Sequence, residues 1–145
     1  MSAPAHRVLR MWVRTAMDGP LEERDTLELV AGEGVVGDHG RGGKRHVTLV
    51  FQDDWDEAGA ALGRSVDPAG RRANVLLSGG GGAARIGTRV RLGTAELEIV
   101  GETAPCPVME RAAPGLMDAL KPNVRAGVWA RILRGTTLQR GDELQ

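Results

Sequence analysis

Turn signals constrain the fold of this chain more than any other feature. Glycine supplies 21 of the 145 residues, and with Asn, Asp and Pro it cuts the sequence into short apolar stretches about every eight to twelve residues. From Val8 to Arg14 the period is two, with Leu9, Met11 and Val13 on one face and Arg10, Trp12 and Arg14 on the other. Thr26 to Val30, His46 to Phe51, Ala73 to Leu77, Val128 to Leu133 and Thr137 to Leu144 read as further strands. Arg89 to Leu92 and Ala95 to Val100 form the clearest hairpin, because Gly93-Thr94 is a two-residue turn with glycine first. Such spacing leaves no room for repeated crossover helices, so the pattern predicts a mainly β fold, an antiparallel barrel or sandwich.

Two short helices fit between the strands. Asp53 or Asp54 can cap one through Leu62, with Gly63 stopping it, and a broken helix is expected from Pro107 to Leu120, interrupted at Pro114-Gly115. Residues 78–82, a serine and four glycines, lack the Lys-Ser/Thr of a phosphate loop and read as a flexible connector. No composition shift or linker divides the chain, so one domain over residues 1–145 is expected.

Charge excludes several classes of partner. Acidic and basic residues balance at nineteen each, so no global field draws the protein to nucleic acid or an anionic membrane. The chain has no tyrosine and one phenylalanine, too few aromatic rings to stack single-stranded bases. Lys44 and Lys121 are the only lysines among the nineteen basic residues, leaving seventeen arginines, whose planar forks suit oxyanions. No apolar run reaches membrane-spanning length and the first twenty residues lack a signal-peptide core, which predicts a cytoplasmic protein. A thiol in that compartment stays reduced.

Cys106 is the only cysteine. It follows a predicted strand and lies between Pro105 and Pro107, which leave little backbone freedom at the thiol. One reading is a thiol held ready to bind or react; the other is a small buried hydrophobe, since free cysteines are among the most buried residues. His39, in a Gly-Asp-His turn, and His46, opening a strand, are candidate proton donors or ordinary hydrogen-bonding side chains. Asp38 is expected to accept backbone N–H groups in its turn, and His6 to lie at a frayed end. Cys106, His39 and His46 lack the paired close spacings of a structural zinc site.

Several fragments follow one another in a known order: Gly34-Val35-Val36-Gly37-Asp38-His39, Arg45-His46-Val47-Thr48-Leu49-Val50, and Arg72-Ala73-Asn74-Val75-Leu76-Leu77. Ile86-Gly87-Thr88-Arg89-Val90-Arg91-Leu92-Gly93, Pro105-Cys106, Arg125-Ala126-Gly127-Val128 and Gly141-Asp142 continue it. In this the chain, from about Leu9 to Leu144, resembles the MOSC domain, the module found at the carboxyl end of molybdenum cofactor sulfurases and in amidoxime-reducing proteins. The resemblance implies a closed or partly open, strand-rich β-barrel with two or three short helices. It also implies one essential cysteine that either ligates molybdenum of a pterin cofactor or carries sulfur as a persulfide. The Arg-x-Asn element that touches the cofactor in relatives maps to Arg72 and Asn74, and Arg72 or Arg125 is expected to supply positive charge beside the thiolate. Many enzymatic relatives carry added domains that enclose the cofactor, so a homodimer or a partner protein is expected to complete the pocket. No lysine is placed to hold pyridoxal phosphate, which in the sulfurases belongs to a separate domain.

Three functions follow as expectations. The first is a molybdenum-cofactor oxidoreductase that reduces N-hydroxylated small molecules with an electron-transfer partner, using Cys106 as ligand, His46 or His39 as proton source, and Arg72, Asn74 and Arg125 as cofactor contacts. The second is a sulfur carrier passing a Cys106 persulfide between donor and acceptor proteins. The third is a binding module without chemistry.

Overall fold

The computed structural model describes residues 6–17 and 19–145. Its strands and helices run β1 His6–Arg14, β2 Leu21–Arg24, β3 Thr26–Val30, β4 Gly34–Val35, β5 Val47–Phe51, α1 Gln52–Leu62, β6 Val75–Leu77, β7 Arg89–Leu92, β8 Ala95–Glu102, α2 Leu116–Ala119, β9 Val128–Arg134, β10 Thr136–Gln139 and β11 Glu143–Leu144. Seven strands in the order β11-β7-β8-β9-β5-β6-β1 form a barrel, closed where β11 pairs with β1 through His6 and Leu144. The far half of β1 pairs with β2, and β10-β3-β4 make a second, three-stranded sheet. The fold is mainly β, as the turn spacing predicts. Among the described residues no helix is long and apolar enough to cross a membrane.

Pairing is antiparallel throughout the described sheets except between β5 and β6, which run parallel. A parallel pair needs a long crossover, and this one carries α1 and a 3-10 turn, Pro68–Arg71. All five residues of β5 are buried, because the strand is covered on both faces. Val47, Leu49 and Phe51 point into the barrel with Met11, Val75, Leu97 and Ile99. Val50 points outward, under the helical layer of Trp55, Ala58, Met109 and Leu116, with Trp12 and Leu76 beside it.

Several local expectations are corrected. Neither Asp53 nor Asp54 caps α1: Phe51 is its N-cap and no side chain bonds there. The Asp54 carboxylate instead accepts the N–H groups of Gly81 and Gly82 at 3.1 Å each, so residues 78–82 are a docked turn rather than a loose connector. Gly63 ends α1 in the left-handed region at φ 71°, as predicted. His6 is not frayed; its Nδ1 lies 2.8 Å from the carbonyl of Ser78 and its ring packs edge-on against Phe51. Strand β2 was missed because Leu-Glu-Glu-Arg shows no apolar alternation and gains its order from pairing with β1. The broken helix after Cys106 is a 3-10 turn, Pro107–Arg111, then the single turn of α2.

Candidate functional site

Cys106 is exposed, in extended backbone at φ −130° and ψ 168°. It opens onto a cleft of about 480 Å³ at one end of the barrel. Arg14, the last residue of β1, Thr48 on β5, and Lys44 and Arg45 from the loop before β5 line that cleft; Arg71 and Arg72 reach it from the turn before β6. Thr103 and Ala104, on the connector from β8, complete the wall around the sulfur.

The connector is anchored on both sides of the thiol. Thr103 is 1 % exposed; its N–H donates to the carbonyl of Gly127 at 3.0 Å and its hydroxyl to that of Ala126 at 3.1 Å. Downstream, the Cys106 carbonyl accepts the N–H of Met109 at 3.0 Å, which closes the turn that Pro107 begins. Gly127 is required at the anchor. Its φ is 103°, and an added Cβ would lie 2.2 Å from the carbonyl oxygen of Leu49.

Arg71 is the deepest cation in the cleft, 9 % exposed. Its Nε donates to the same Ala126 carbonyl, and no carboxylate pairs with it among the described residues. Burial pushes its pKa down to about 10; the Cys106 sulfur opposes that shift, while Arg14 and Arg45 add to it. At neutral pH the guanidinium therefore remains charged. Lys44 and Arg45 sit at the rim, 5.9 and 5.8 Å from the Trp129 ring centre. Arg14 is partly neutralised, with its Nη2 3.3 Å from Asp38, and its Nε is a buried donor without an acceptor.

The residues singled out from sequence divide into those the cleft gathers and those it does not. Cys106 and Arg72 line it. Arg72 is held in left-handed backbone at φ 60°, and its Nη2 donates to the carbonyl of Gly19 at 2.6 Å, a strained conformation of the kind found at functional sites. Asn74 does not reach the cleft. It is 2 % exposed, its Oδ1 accepts the N–H and hydroxyl of Thr48, and its Nδ2 donates to the Trp12 carbonyl and to Asp38. The amide is fully occupied in tying three segments together, which leaves it no donor or acceptor for a ligand.

Arg125 lies on the helical side, where its Nη1 donates to the Ala119 carbonyl at 3.0 Å and its Nε is 3.5 Å from Glu57. It does not line the cleft because the turn Pro122–Val124 docks it between α1 and α2. His46 accepts the N–H of Ile132 at its Nδ1, 3.0 Å away. Burial, and then the charge of Arg131, lower its pKa from the ordinary histidine value. His39 is exposed, anchored through its backbone N–H to the Arg14 carbonyl at 2.6 Å. Neither imidazole lines the cleft.

Asp38 accepts the backbone N–H of Gly40 in its own turn, as expected, and those of Arg14 and the Asn74 amide besides. Burial alone would raise its pKa; the N–H groups of Arg14 and Gly40 and the Arg14 charge outweigh it and hold the carboxyl below its ordinary value. Sequence reasoning passed over Arg71, Thr103, Lys44 and Arg45. For Arg71 the available signal is the doubled arginine before Ala73, of which the Arg-x-Asn element covers only the second. As assembled, the cleft presents one soft sulfur ligand under a cluster of cations, an arrangement able to hold a soft or borderline metal together with negative charge.

Comparison with known proteins bears on this arrangement. The family model described as MOSC domain matches residues 36–145. The fold is similar to the crystal structure of the YuaD protein from Bacillus subtilis, at 20% identity over 97% of this chain and 94% of that one, with a TM-score of 0.81. It is also similar to YiiM from Geobacillus stearothermophilus, at 16% identity, 96% and 73% coverage and TM-score 0.71. YiiM from Escherichia coli aligns at 15% identity, 96% and 69% coverage and TM-score 0.68. No curated protein matches the chain.

Proposed function

The chain belongs to the MOSC domain family, and on that premise we propose that its cleft binds a molybdenum cofactor with Cys106 as the metal's protein ligand, and that the protein reduces N-hydroxylated small molecules. The observation that carries this reading is an exposed thiol on a doubly anchored connector, facing a buried, carboxylate-free Arg71 across a cleft of about 480 Å³.

The residues present fit such a group. A thiolate is a soft ligand suited to molybdenum, and the surrounding cations suit the phosphate of a pterin. When bound, the cofactor would supply a metal centre able to exchange two electrons with a substrate. Cys106 would hold the metal, and Arg71 and Arg72 would hold the anionic end. Thr103 would keep the sulfur in place through the Ala126–Gly127 turn, and Lys44 and Arg45 would guard the entrance. The His39 and His46 side chains take no part in this arrangement, so the proton needed for reduction comes through the open mouth of the cleft. A reductase of this kind requires an electron donor, for which a partner protein, or a second copy completing the pocket wall, is the corresponding assembly. The cytoplasm, where a single thiol stays reduced, suits either.

Metal analysis of protein made in a cofactor-competent host tests the reading. Stoichiometric molybdenum in the wild type and its loss in Cys106→Ala are expected; metal content indifferent to that substitution would overturn direct ligation.

The exposure of Cys106 favours a second reading, a persulfide carrier, because a sulfur donor or acceptor protein can reach the thiol without any opening of the fold. Intact native mass spectrometry with elemental analysis of the same sample separates the two. An added mass of one sulfur, releasable by cyanide from wild type but not from Cys106→Ser, supports the carrier; a pterin with molybdenum supports the reductase.

A further inference from the structure

The barrel is covered unevenly. Its helices pack on Trp12, Val50 and Leu76, the outward side chains of β1, β5 and β6, whereas the outward side chains of β7 and of the adjoining parts of β8 and β9 are largely exposed. Strand register sets this bare face in two cross-strand rows: Arg89 beside Glu98 beside Arg131, and Arg91 beside Glu96 beside Arg134. Each glutamate stands between two arginines, so each row keeps one positive charge in excess. Among the described residues no ion pair involves a side chain of these three strands, although the chain as a whole is neutral. Two register shifts leave Val100 and Leu133 unmatched between the strands, and both apolar side chains are exposed beside the charged rows. A groove of about 360 Å³ over Trp129 continues the face, and its wall includes Lys44, which also lines the Cys106 cleft. The bare face therefore runs to the mouth of the cleft.

We propose that the outer face of β7, β8 and β9 is the docking surface of an acidic electron-donor protein that serves the Cys106 cleft. Charge sets the sign of the partner, because unpaired guanidinium rows steer a negatively charged surface toward them. Nucleic acid suits the face less well: Glu96 and Glu98 stand in the middle of their rows, where a continuous phosphate backbone would meet them. A protein can spare those two positions its carboxylates and seat apolar groups on Val100 and Leu133. Size sets the kind of contact. Three strands about 4.8 Å apart, the longest contribution being the seven residues of β9, outline roughly 300 Å², the scale of weak redox encounters and not of permanent assemblies. A donor that must dock, transfer its electrons and leave needs such a surface. The donor role rests on the reductase reading above, whereas docking itself needs neither metal nor thiol.

Isothermal titration of cofactor-free protein with a plant-type two-iron ferredoxin, an acidic electron carrier, tests the docking at about 10 mM salt, where charges act over about 30 Å. One saturable event with a Kd of about 10 to 100 µM is expected. It should weaken severalfold in Arg131→Glu and about tenfold or more in the double variant Arg91→Glu, Arg131→Glu, whose altered side chains are both exposed. Arg64→Glu, the same change of charge beyond the end of α1, is expected to bind as the wild type does, and so is Cys106→Ala. Absence of saturable binding below about 1 mM would overturn the proposal, as would equal losses in Arg64→Glu and Arg131→Glu. Tighter binding of a DNA duplex than of ferredoxin would overturn it in favour of nucleic acid, and a wild-type dimer in sedimentation that Arg131→Glu dissociates would assign the face to a second copy. In cofactor-loaded protein the double variant is expected to raise the KM for ferredoxin about tenfold and to leave turnover driven by dithionite, a small chemical reductant, unchanged. Dithionite-driven reduction without ferredoxin docking on this face would sink this inference alone; docking without reduction of any N-hydroxylated compound would sink only the reductase reading.

Discussion

Arg71 and Thr103 donate to the same carbonyl, that of Ala126, the one through Nε and the other through its hydroxyl. The buried cation and the strand exit that carries the reactive sulfur are therefore fixed to a single point, although they lie 32 residues apart (103 minus 71) in the chain. Whatever shifts the Ala126–Gly127 turn moves both together.

Thr103→Val keeps the shape of the side chain and removes the hydroxyl donor. Ala126 keeps its bond from Arg71, so the expected cost is modest, about 1 kcal/mol in urea unfolding. The larger effect is expected at Cys106, whose connector loses one of its two upstream ties; faster thiol alkylation in the folded protein, at unchanged secondary structure, is the readout. An alkylation rate equal to wild type would show that the prolines alone hold the sulfur.

Gly127→Ala is expected to be far worse, at least about 3 kcal/mol, because it combines a φ of 103° with a Cβ placed 2.2 Å from the Leu49 carbonyl oxygen. Thermal unfolding, or recovery in the soluble fraction, measures it. The backbone of β5 cannot retreat, since its other face is packed under α1.

Asp38→Asn tests the pH dependence of the cleft wall. A carboxyl whose pKa is lower folded than unfolded stabilises the fold above its ordinary value of 3.8 and loses that contribution as the pH drops through the folded value. The wild type is expected to exceed Asp38→Asn by about 2 kcal/mol at pH 7, with the gap constant down to about pH 5 and closing below pH 4. Denaturant midpoints across that range check it, and a gap that persists at pH 2.5 would mean that the charge contributes nothing.

His46 acts in the same direction at higher pH. Its folded pKa lies below the ordinary 6.5, so the neutral ring is favoured by folding; its contribution is complete above pH 6.5 and falls as the pH drops below that value. His46→Gln, which keeps an acceptor for the Ile132 N–H, is expected to flatten the loss of stability between pH 7.5 and 5.5. Parallel chemical denaturation series on the two proteins would show whether the slopes differ.

The barrel was legible because its signals are local. Alternation in β7 and β8, the glycine-first turn at Gly93 and the apolar run of β5 each report burial by neighbouring residues, and all three occur as expected. The parallel pairing of β5 with β6 was not read from periodicity, since a strand buried on both faces looks the same whichever way its neighbour runs. The same limit applied to the site. Cys106 announced itself by isolation between two prolines, but Arg71 and Arg72 are adjacent arginines, and only the turn that buries one of them tells them apart. His46 looked chemical because it opens a strand, and Asn74 because it fits the Arg-x-Asn element of the resemblance; here the Nδ1 of His46 is taken by Ile132 and the amide of Asn74 by Thr48, Trp12 and Asp38. Such satisfaction depends on tertiary neighbours that no spacing encodes.

The seam between His6 and Leu144 joins the two ends of the described chain. A ribosome delivers β1 before the other barrel strands and β11 after them, so until β11 emerges one flank of β1 waits unpaired beside a half-built cylinder. Closure is therefore a late, long-range event in the making of the barrel, and the segment around Glu143 and Leu144 decides when its open edge stops being sticky.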